Sequence, residues 1–313
     1  MIQELSVVGI DVSKARFDVC VYPAGKEWST GSSPVQIAAL VQRIQALGPV
    51  VVGLEASGGY ERRLADSLHA AGLKVYILPP ARVRNFAKAM GQLAKTDRID
   101  AAMIARYLAT ASDRLVPYCG PDLARDRLSA LATHRRRLVT EKSGLTSQLD
   151  TIEEPLVRDM LETRLGVIAA NIATLDRAMR DLLKATPSLR KRHDRLCEVT
   201  GVGPVLATAL IADLPELGAV SSKVIAALLG VAPHARQSGM SNRRGKCSGG
   251  RKHLRDIAYM AALSAIKIRD PVLGAFYKRL RSNGKPFKIA IVATIRKLLT
   301  ILNAIARTDT AFA

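Results

Sequence analysis

The sequence predicts an α/β domain with a mixed sheet over residues 1–112, a helical coiled-coil region over 113–186, and a mainly α, basic domain over 187–313. Three observations carry that prediction. Short apolar runs alternate with segments of helical period through the first 110 residues. A 3.5-residue apolar repeat follows in the middle. After residue 186 the chain holds 22 Lys and Arg against 7 Asp and Glu, whereas residues 1–110 hold 13 against 9 and residues 111–186 hold 12 against 11.

The elements follow in order. Val7 to Val12 is a short apolar run carrying Asp11 near its end, and Phe17 to Tyr22 comes after a turn-like Ser13-Lys14-Ala15-Arg16, so the two predict a hairpin. Ile37, Leu40, Val41, Ile44 and Leu47 recur at helical spacing. Val50 to Leu54 reads as a buried strand ending at Glu55. Tyr60 to Ala71 is helical and stops at Gly72, and Val75 to Leu78 is a strand stopped by Pro79-Pro80. Asp97 to Leu108 is built of strong helix formers and opens with a negative first turn.

In the middle, Leu161, Leu165, Ile168, Ile172, Leu175, Met179 and Leu182 alternate spacings of four and three. That is a coiled-coil seam, within or between chains, and it is also compatible with the core face of a bundle. A looser seam runs through Leu128, Leu131, Leu138, Leu145, Leu149 and Ile152, and Pro155 separates the two. From Pro187 onward the chain reads as helical and basic. Thr200-Gly201-Val202-Gly203-Pro204 is a tight hairpin feeding a helix N-terminus, suited to a phosphate but equally to a plain helix–turn–helix corner.

Several classes fall away. Across 313 residues, 48% are hydrophobic, too many for a disordered basic tail. No run is read as approaching the roughly 18 apolar residues of a membrane span. No basic region followed by a long apolar one stands at the N-terminus, so no secretory signal is expected. Cys20, Cys119, Cys197 and Cys247 are far apart, which predicts reduced thiols and a cytoplasmic protein. Cys247, His253 and His234 lack the paired spacing of a zinc site. The net charge of +20 points to phosphate backbones. Aromatics at 4% argue against base-stacking platforms.

Between Leu217 and Arg255 the sequence has eight basic residues and no acidic one. Arg236, Arg243, Arg244, Lys246, Arg251, Lys252 and Arg255 are interleaved with Gly239, Gly245, Gly249 and Gly250, as in a loop that grips a nucleic-acid backbone closely. Ser238 lies in it, with Ser241 three residues on, as a candidate nucleophile that needs its proton taken and the developing charge stabilised. Four acids are candidates for convergence. Asp11 and Glu55 end strands, while Asp97 and Asp100 share a helix face. Carboxylates that gather without basic partners call for a hard divalent cation such as Mg2+, and two ions would clamp a phosphodiester. Each acid alone also has an ordinary use as a turn former, cap or surface group.

Gly9-Ile10-Asp11-Val12-Ser13-Lys14, Glu55-Ala56-Ser57-Gly58, Lys95-Thr96-Asp97-Arg98-Ile99-Asp100-Ala101, and Gly230-Val231-Ala232-Pro233 through Gln237-Ser238-Gly239 appear in this order. As a set they resemble the DEDD-type insertion-sequence transposases, the bridge-RNA-guided recombinases that include the pilin-gene inverting recombinases. The resemblance spans nearly the whole chain. It implies a RuvC-like, ribonuclease-H-type N-terminal domain whose acids match Asp11, Glu55, Asp97 and Asp100 and bind Mg2+. It further implies a coiled coil used in oligomerisation and a C-terminal transposase domain whose serine matches Ser238. The two domains, from different protomers, would form a composite site that makes a covalent phosphoserine. A structured guide RNA would pair with donor and target DNA. One departure stands out: the family often has Ser-Lys after Gly245, whereas here Ser248 precedes Gly249, with Arg251 and Lys252 following. Leu254-Arg255 fits the pattern.

Three functions are therefore weighed. The first is a transposase or invertase working through a serine–DNA link. The second is a metal-dependent junction nuclease using water alone, and the third a non-catalytic architectural protein.

Overall fold

The computed structural model describes residues 6–92, 97–238 and 241–308, with side chains throughout except at 97, 98, 114, 234–238, 241–246 and 308. By contact the chain divides into two compact units, Met1–Pro121 and Asp122–Ala313.

In the first unit β1 (Ser6–Val12), β2 (Arg16–Tyr22) and β3 (Lys26–Gly31) form an antiparallel meander, as the paired apolar runs predict for the first two. The strand β3 was not legible, because Lys-Glu-Trp-Ser-Thr-Gly is a polar edge with little apolar alternation. Helix α1 (Pro34–Gln45) starts with a capping box in which Ser33 Oγ accepts from the Gln36 N–H. It leads to β4 (Val50–Glu55), then α2 (Glu61–Ala70) and β5 (Lys74–Leu78), and β4 and β5 add parallel to β1. The sheet order is β3-β2-β1-β4-β5, a mixed sheet as expected.

Alternation sorts the strands' side chains onto two faces. Val8, Ile10, Val52 and Leu54 pack with Ile37, Leu40, Leu64 and Leu68 on the α1–α2 face. Val7, Val51, Tyr76 and Leu78 face the other way. There they meet α3 (Pro80–Ala89) through Val83 and α4 (Asp97–Ala111) through Ile104 and Leu108.

The second unit opens with α5 (Leu123–Leu149) and α6 (Pro155–Ala185). They run antiparallel, since Arg135 pairs with Asp176 while Glu141 pairs with Arg164. Leu128 and Leu138 on one helix and Leu161, Ile168, Met179 and Leu182 on the other are buried. The repeat therefore packs within the chain over this hairpin. Helices α7 (Pro187–Cys197), α8 (Pro204–Asp213) and α9 (Ser222–Leu229) follow. Gly201, at φ +88°, turns the α7–α8 corner where a Cβ would stand 2.6 Å from the Ala261 carbonyl.

Residues read as a glycine-rich loop instead form a two-stranded hairpin, β6 (Pro233–Ser238) with β7 (Ser241–Cys247). Periodicity gave no sign of it, because neither strand has an apolar face. Helices α10 (Lys252–Lys267), α11 (Leu273–Ser282) and α12 (Phe287–Thr308) complete the unit. Arg269, just beyond α10, takes φ +55°, a left-handed conformation that costs a non-glycine residue about 1–3 kcal/mol.

One sequence expectation is corrected here. Phe287–Arg307 is long and apolar enough to cross a membrane by length and composition, with a mean hydropathy of 1.8. Lys288, Arg296 and Lys297 break the strict apolar run, which hid it. Half of this stretch is buried, and Ile291, Ile295, Leu298, Leu299 and Leu302 lie in the core of the second unit. It is the central helix of that core.

Candidate functional site

In the first unit the site follows from strand parity. Asp11 stands two residues beyond Gly9, and Glu55 two beyond Gly53, so both acids face the α4 side at the carboxyl ends of adjacent parallel strands. Helix α4 comes so close there that a Cβ on Gly9 would lie 2.3 Å from the Ala101 carbonyl oxygen and 2.4 Å from the Ala105 nitrogen. Asp100 directly precedes Ala101, so the first turn of α4 brings it to the same end of the sheet. Asp11, Glu55 and Asp100 are half-buried. Asp97 starts α4, and its side chain lies outside the described residues. Among the described residues no group of three His, Cys, Asp or Glu is placed to hold a metal ion.

Two further carboxylates shape this edge, and neither was nominated from sequence. Asp18 is paired across the strands with Asp11 and is buried on the same face. Its Oδ1 accepts from Arg16 Nη2 at 2.7 Å, Arg16 Nε at 3.2 Å and Ser29 Oγ at 2.5 Å. That charge-assisted cluster offsets the repulsion two facing aspartates would otherwise suffer. Asp18 interrupts an otherwise apolar strand, which is the only trace it leaves in the sequence.

Glu61 organises the turn after Glu55. One of its oxygens accepts from Ser57 N–H at 3.0 Å, Ser57 Oγ at 3.0 Å and Gly59 N–H at 2.8 Å. Burial pushes this carboxyl up, but its own backbone N–H and those of Gly59 and Ser57, with the Ser57 hydroxyl, outweigh that. The group titrates below the ordinary carboxylate value.

In the second unit Ser238 ends β6 and pairs with Ser241 at the start of β7. Arg236, Arg243, Arg244 and Lys246 lie on the same two strands; their side chains, and that of Ser238, are outside the described residues. The three candidate cations whose side chains are described, Arg251, Lys252 and Arg255, are tied to protein. Arg251 makes a two-pronged pair with Glu216, Nη1 to Oε2 at 2.9 Å and Nη2 to Oε1 at 2.7 Å. Lys252 pairs with Asp256 at 2.7 Å. Arg255 Nη1 donates to the carbonyls of Gly249 at 2.8 Å and Leu229 at 3.0 Å. Gly230, at φ +74°, caps α9 where any Cβ would strike the Gly249 carbonyl, so the hairpin's base is clasped to α9.

Behind this clasp Asp213 joins three helices. It accepts from Ser129 Oγ at 2.8 Å and Arg136 Nη1 at 3.3 Å, and His253 Nε2 lies 2.8 Å away. A cavity of about 530 Å3 opens beside it between α5, α6, α8 and α10, walled by Val139, Met179, Leu183, Val205 and Ile257. None of the nominated side chains lines it.

Comparison with known proteins places the chain. Residues 8–152 match a family model described as a transposase, and residues 193–278 match one described as "Transposase IS116/IS110/IS902 family". The chain is 30% identical over 323 residues to a pilin gene-inverting protein of Moraxella bovis, covering 97% of each. It is 29% identical over 322 residues to one of Moraxella lacunata, again covering 97% of each. Among solved structures it is similar to RuvC of T. thermophilus in complex with a Holliday junction substrate. That match has a TM-score of 0.29 and 15% identity, and covers 37% of this chain and 100% of that one. The class is thus an enzyme of DNA recombination. The chain belongs to the IS116/IS110/IS902 family of transposases.

Proposed function

We propose that this transposase cuts and rejoins DNA through a covalent serine–DNA linkage. Ser238 is the nucleophile, and Asp11, Glu55, Asp97 and Asp100 are the Mg2+-holding acids of a RuvC-like, ribonuclease-H-type domain. The working regions are residues 1–112 for the acids, 113–186 for oligomerisation and 187–313 for the serine and its basic hairpin.

The observation that carries the reading is the common face of Asp11 and Glu55 at neighbouring strand ends, with the first turn of α4 and its Asp100 across them. All four nominated donors are carboxylates, the ligand type a hard divalent ion takes. Two Mg2+ ions held there would supply charge neutralisation for an in-line displacement at phosphorus.

The chain's own step balances without an external oxidant or energy source. Ser238 Oγ gives its proton to a neighbouring base and bonds to phosphorus. The bond from phosphorus to the bridging deoxyribose oxygen breaks, and that oxygen leaves as a hydroxyl on taking up a proton. Attack on the phosphoserine by the hydroxyl of another strand reverses these bonds and rejoins the DNA. A structured guide RNA pairing with donor and target would select the sites, leaving the protein to read backbone shape. A homo-oligomer, dimer or tetramer, would bring acids and serine together from different protomers in the cytoplasm.

The test is denaturing electrophoresis after incubation of protein, guide RNA, DNA and Mg2+. Wild-type protein is expected to stay attached to DNA, while Ser238→Ala gives neither adduct nor recombinant. Asp11→Asn is expected to lose about a hundredfold or more in rate with DNA binding retained. Full recombination by Ser238→Ala overturns the assignment of the nucleophile.

A second reading within the same chemistry is site-specific inversion, favoured by the names of the Moraxella relatives. A plasmid carrying two sites in inverted orientation distinguishes it: an invertase flips the intervening segment, whereas a transposase inserts at a new target.

A further inference from the structure

We propose that a second basic surface, at the corner formed by the end of α10, α11 and the start of α12, grips the phosphate backbone of duplex DNA away from the Ser238 hairpin. This rests on the reading of the chain as a DNA-joining enzyme and adds a surface that the motif-bearing loop does not include.

Residues 267–297 contain nine Lys and Arg and one acidic residue, Asp270. That one acid is turned inward. Asp270 is buried, and its Oδ1 accepts from the Val272 N–H at 2.9 Å and the Leu273 N–H at 2.6 Å, capping α11. Among the described residues none of the nine cations meets a carboxylate, in contrast to Arg251 and Lys252 near the hairpin. Eight of the nine are exposed, and Lys297 is half-buried.

The cations are held together. Arg279 and Lys297 both lie over the Phe276 ring, 5.4 and 4.8 Å from its centre. Arg281 Nη1 donates to the Lys285 carbonyl at 2.7 Å across the α11–α12 turn. Tyr277 and Phe287 meet edge to face across the α11–α12 turn, with ring centres 6.4 Å apart. Arg269 keeps its left-handed backbone beside Gly274, at a position where glycine would be easier. Like charges gathered on one surface repel unless a polyanion neutralises them.

Duplex backbone fits better than unpaired bases. A base-stacking platform needs open ring faces, and the Phe276 ring is covered by two cations. Position points the same way. Helix α10 has 16 residues, so the surface lies about 24 Å along it from the end that follows the hairpin. At about 3.4 Å per base pair that length matches roughly seven base pairs, so one duplex can run from the hairpin's base to this surface.

The experiment measures binding of the full-length protein to a mixed-sequence DNA duplex of about 40 base pairs, and separately to an RNA hairpin, across a salt series. The combined variant Lys278→Gln, Arg279→Gln, Lys285→Gln, Lys288→Gln is expected to bind the duplex about tenfold or more weakly. Its slope of log affinity against log salt should shrink by up to about 3.6, at roughly 0.9 for each of four phosphates no longer neutralised. Arg269→Gly guards against a folding artefact: its melting temperature should hold or rise while duplex affinity falls. Wild-type duplex binding by the combined variant, or a loss confined to the RNA hairpin, overturns the proposal. If that variant binds normally while Arg243→Gln, Arg244→Gln does not, this surface fails and the proposed chemistry stands. If wild-type protein binds duplex through this surface yet forms no Ser238 adduct, the chemistry fails and the surface stands.

Discussion

Glu61 shows how a residue outside the four candidate acids can fix the backbone beside one of them, Glu55. Its carboxylate gathers the backbone N–H groups of Ser57 and Gly59, fixing the turn that leaves β4 directly after Glu55. Because its titration is depressed in the folded state, its stabilisation is fully present above the ordinary carboxylate value near 4.5. It is lost as pH falls through the lower folded value. Glu61→Gln is therefore expected to cost about 2 kcal/mol at pH 7, read by chemical denaturation. The penalty should shrink as pH falls below the ordinary carboxylate value and vanish once the folded carboxylate has also taken up its proton. A pH-independent penalty would mean that shape, and not the charge, holds the turn. Arg16 and Asp18 share a face of β2 by alternation alone, but the placing of Asp18 opposite Asp11 depends on strand register, which single-residue patterns do not report.

Among the elements, the crossing of α4 over β1 and β4 is the decisive contact. Gly9 and Gly53 leave the sheet bare where the helix lands, and the strand-end acids follow two residues later on the same face. Gly9→Ala is expected to destabilise the first unit by about 3 kcal/mol or more, since its Cβ would overlap backbone and not a yielding side chain. Urea denaturation measures this; a cost under about 0.5 kcal/mol would show that α4 does not seat as described. The first two strands were readable because apolar runs of strand length flank a turn, and strand ends are where such sheets place chemistry. The β6–β7 hairpin was not, because its two strands alternate among polar and basic residues with no core face to betray them. The absence of acids between Leu217 and Arg255 was also misleading. The partners lie just beyond that window, Glu216 before it and Asp256 after it.

Over the whole molecule, the positive charge separates by use. The described part of the hairpin base spends Arg251, Lys252 and Arg255 on protein contacts, whereas the α10–α12 corner keeps its cations facing outward. A charge total of +20 dominated by residues 187–313 was legible from composition; which cations are satisfied internally required the fold. The apolar repeat likewise gave the existence of α5 and α6, while their antiparallel pairing came from the ion pairs between them. In the proposed reaction the two units act together, with Ser238 carrying the DNA between strands. Its most direct test is mass spectrometry of the trypsin-digested protein–DNA adduct formed with Mg2+ and guide RNA. A nucleotide remnant is expected on the peptide Gln237–Arg243, fragmenting to Ser238. Cleaved DNA with no adduct, or a remnant on Ser241 or any other residue, would contradict it.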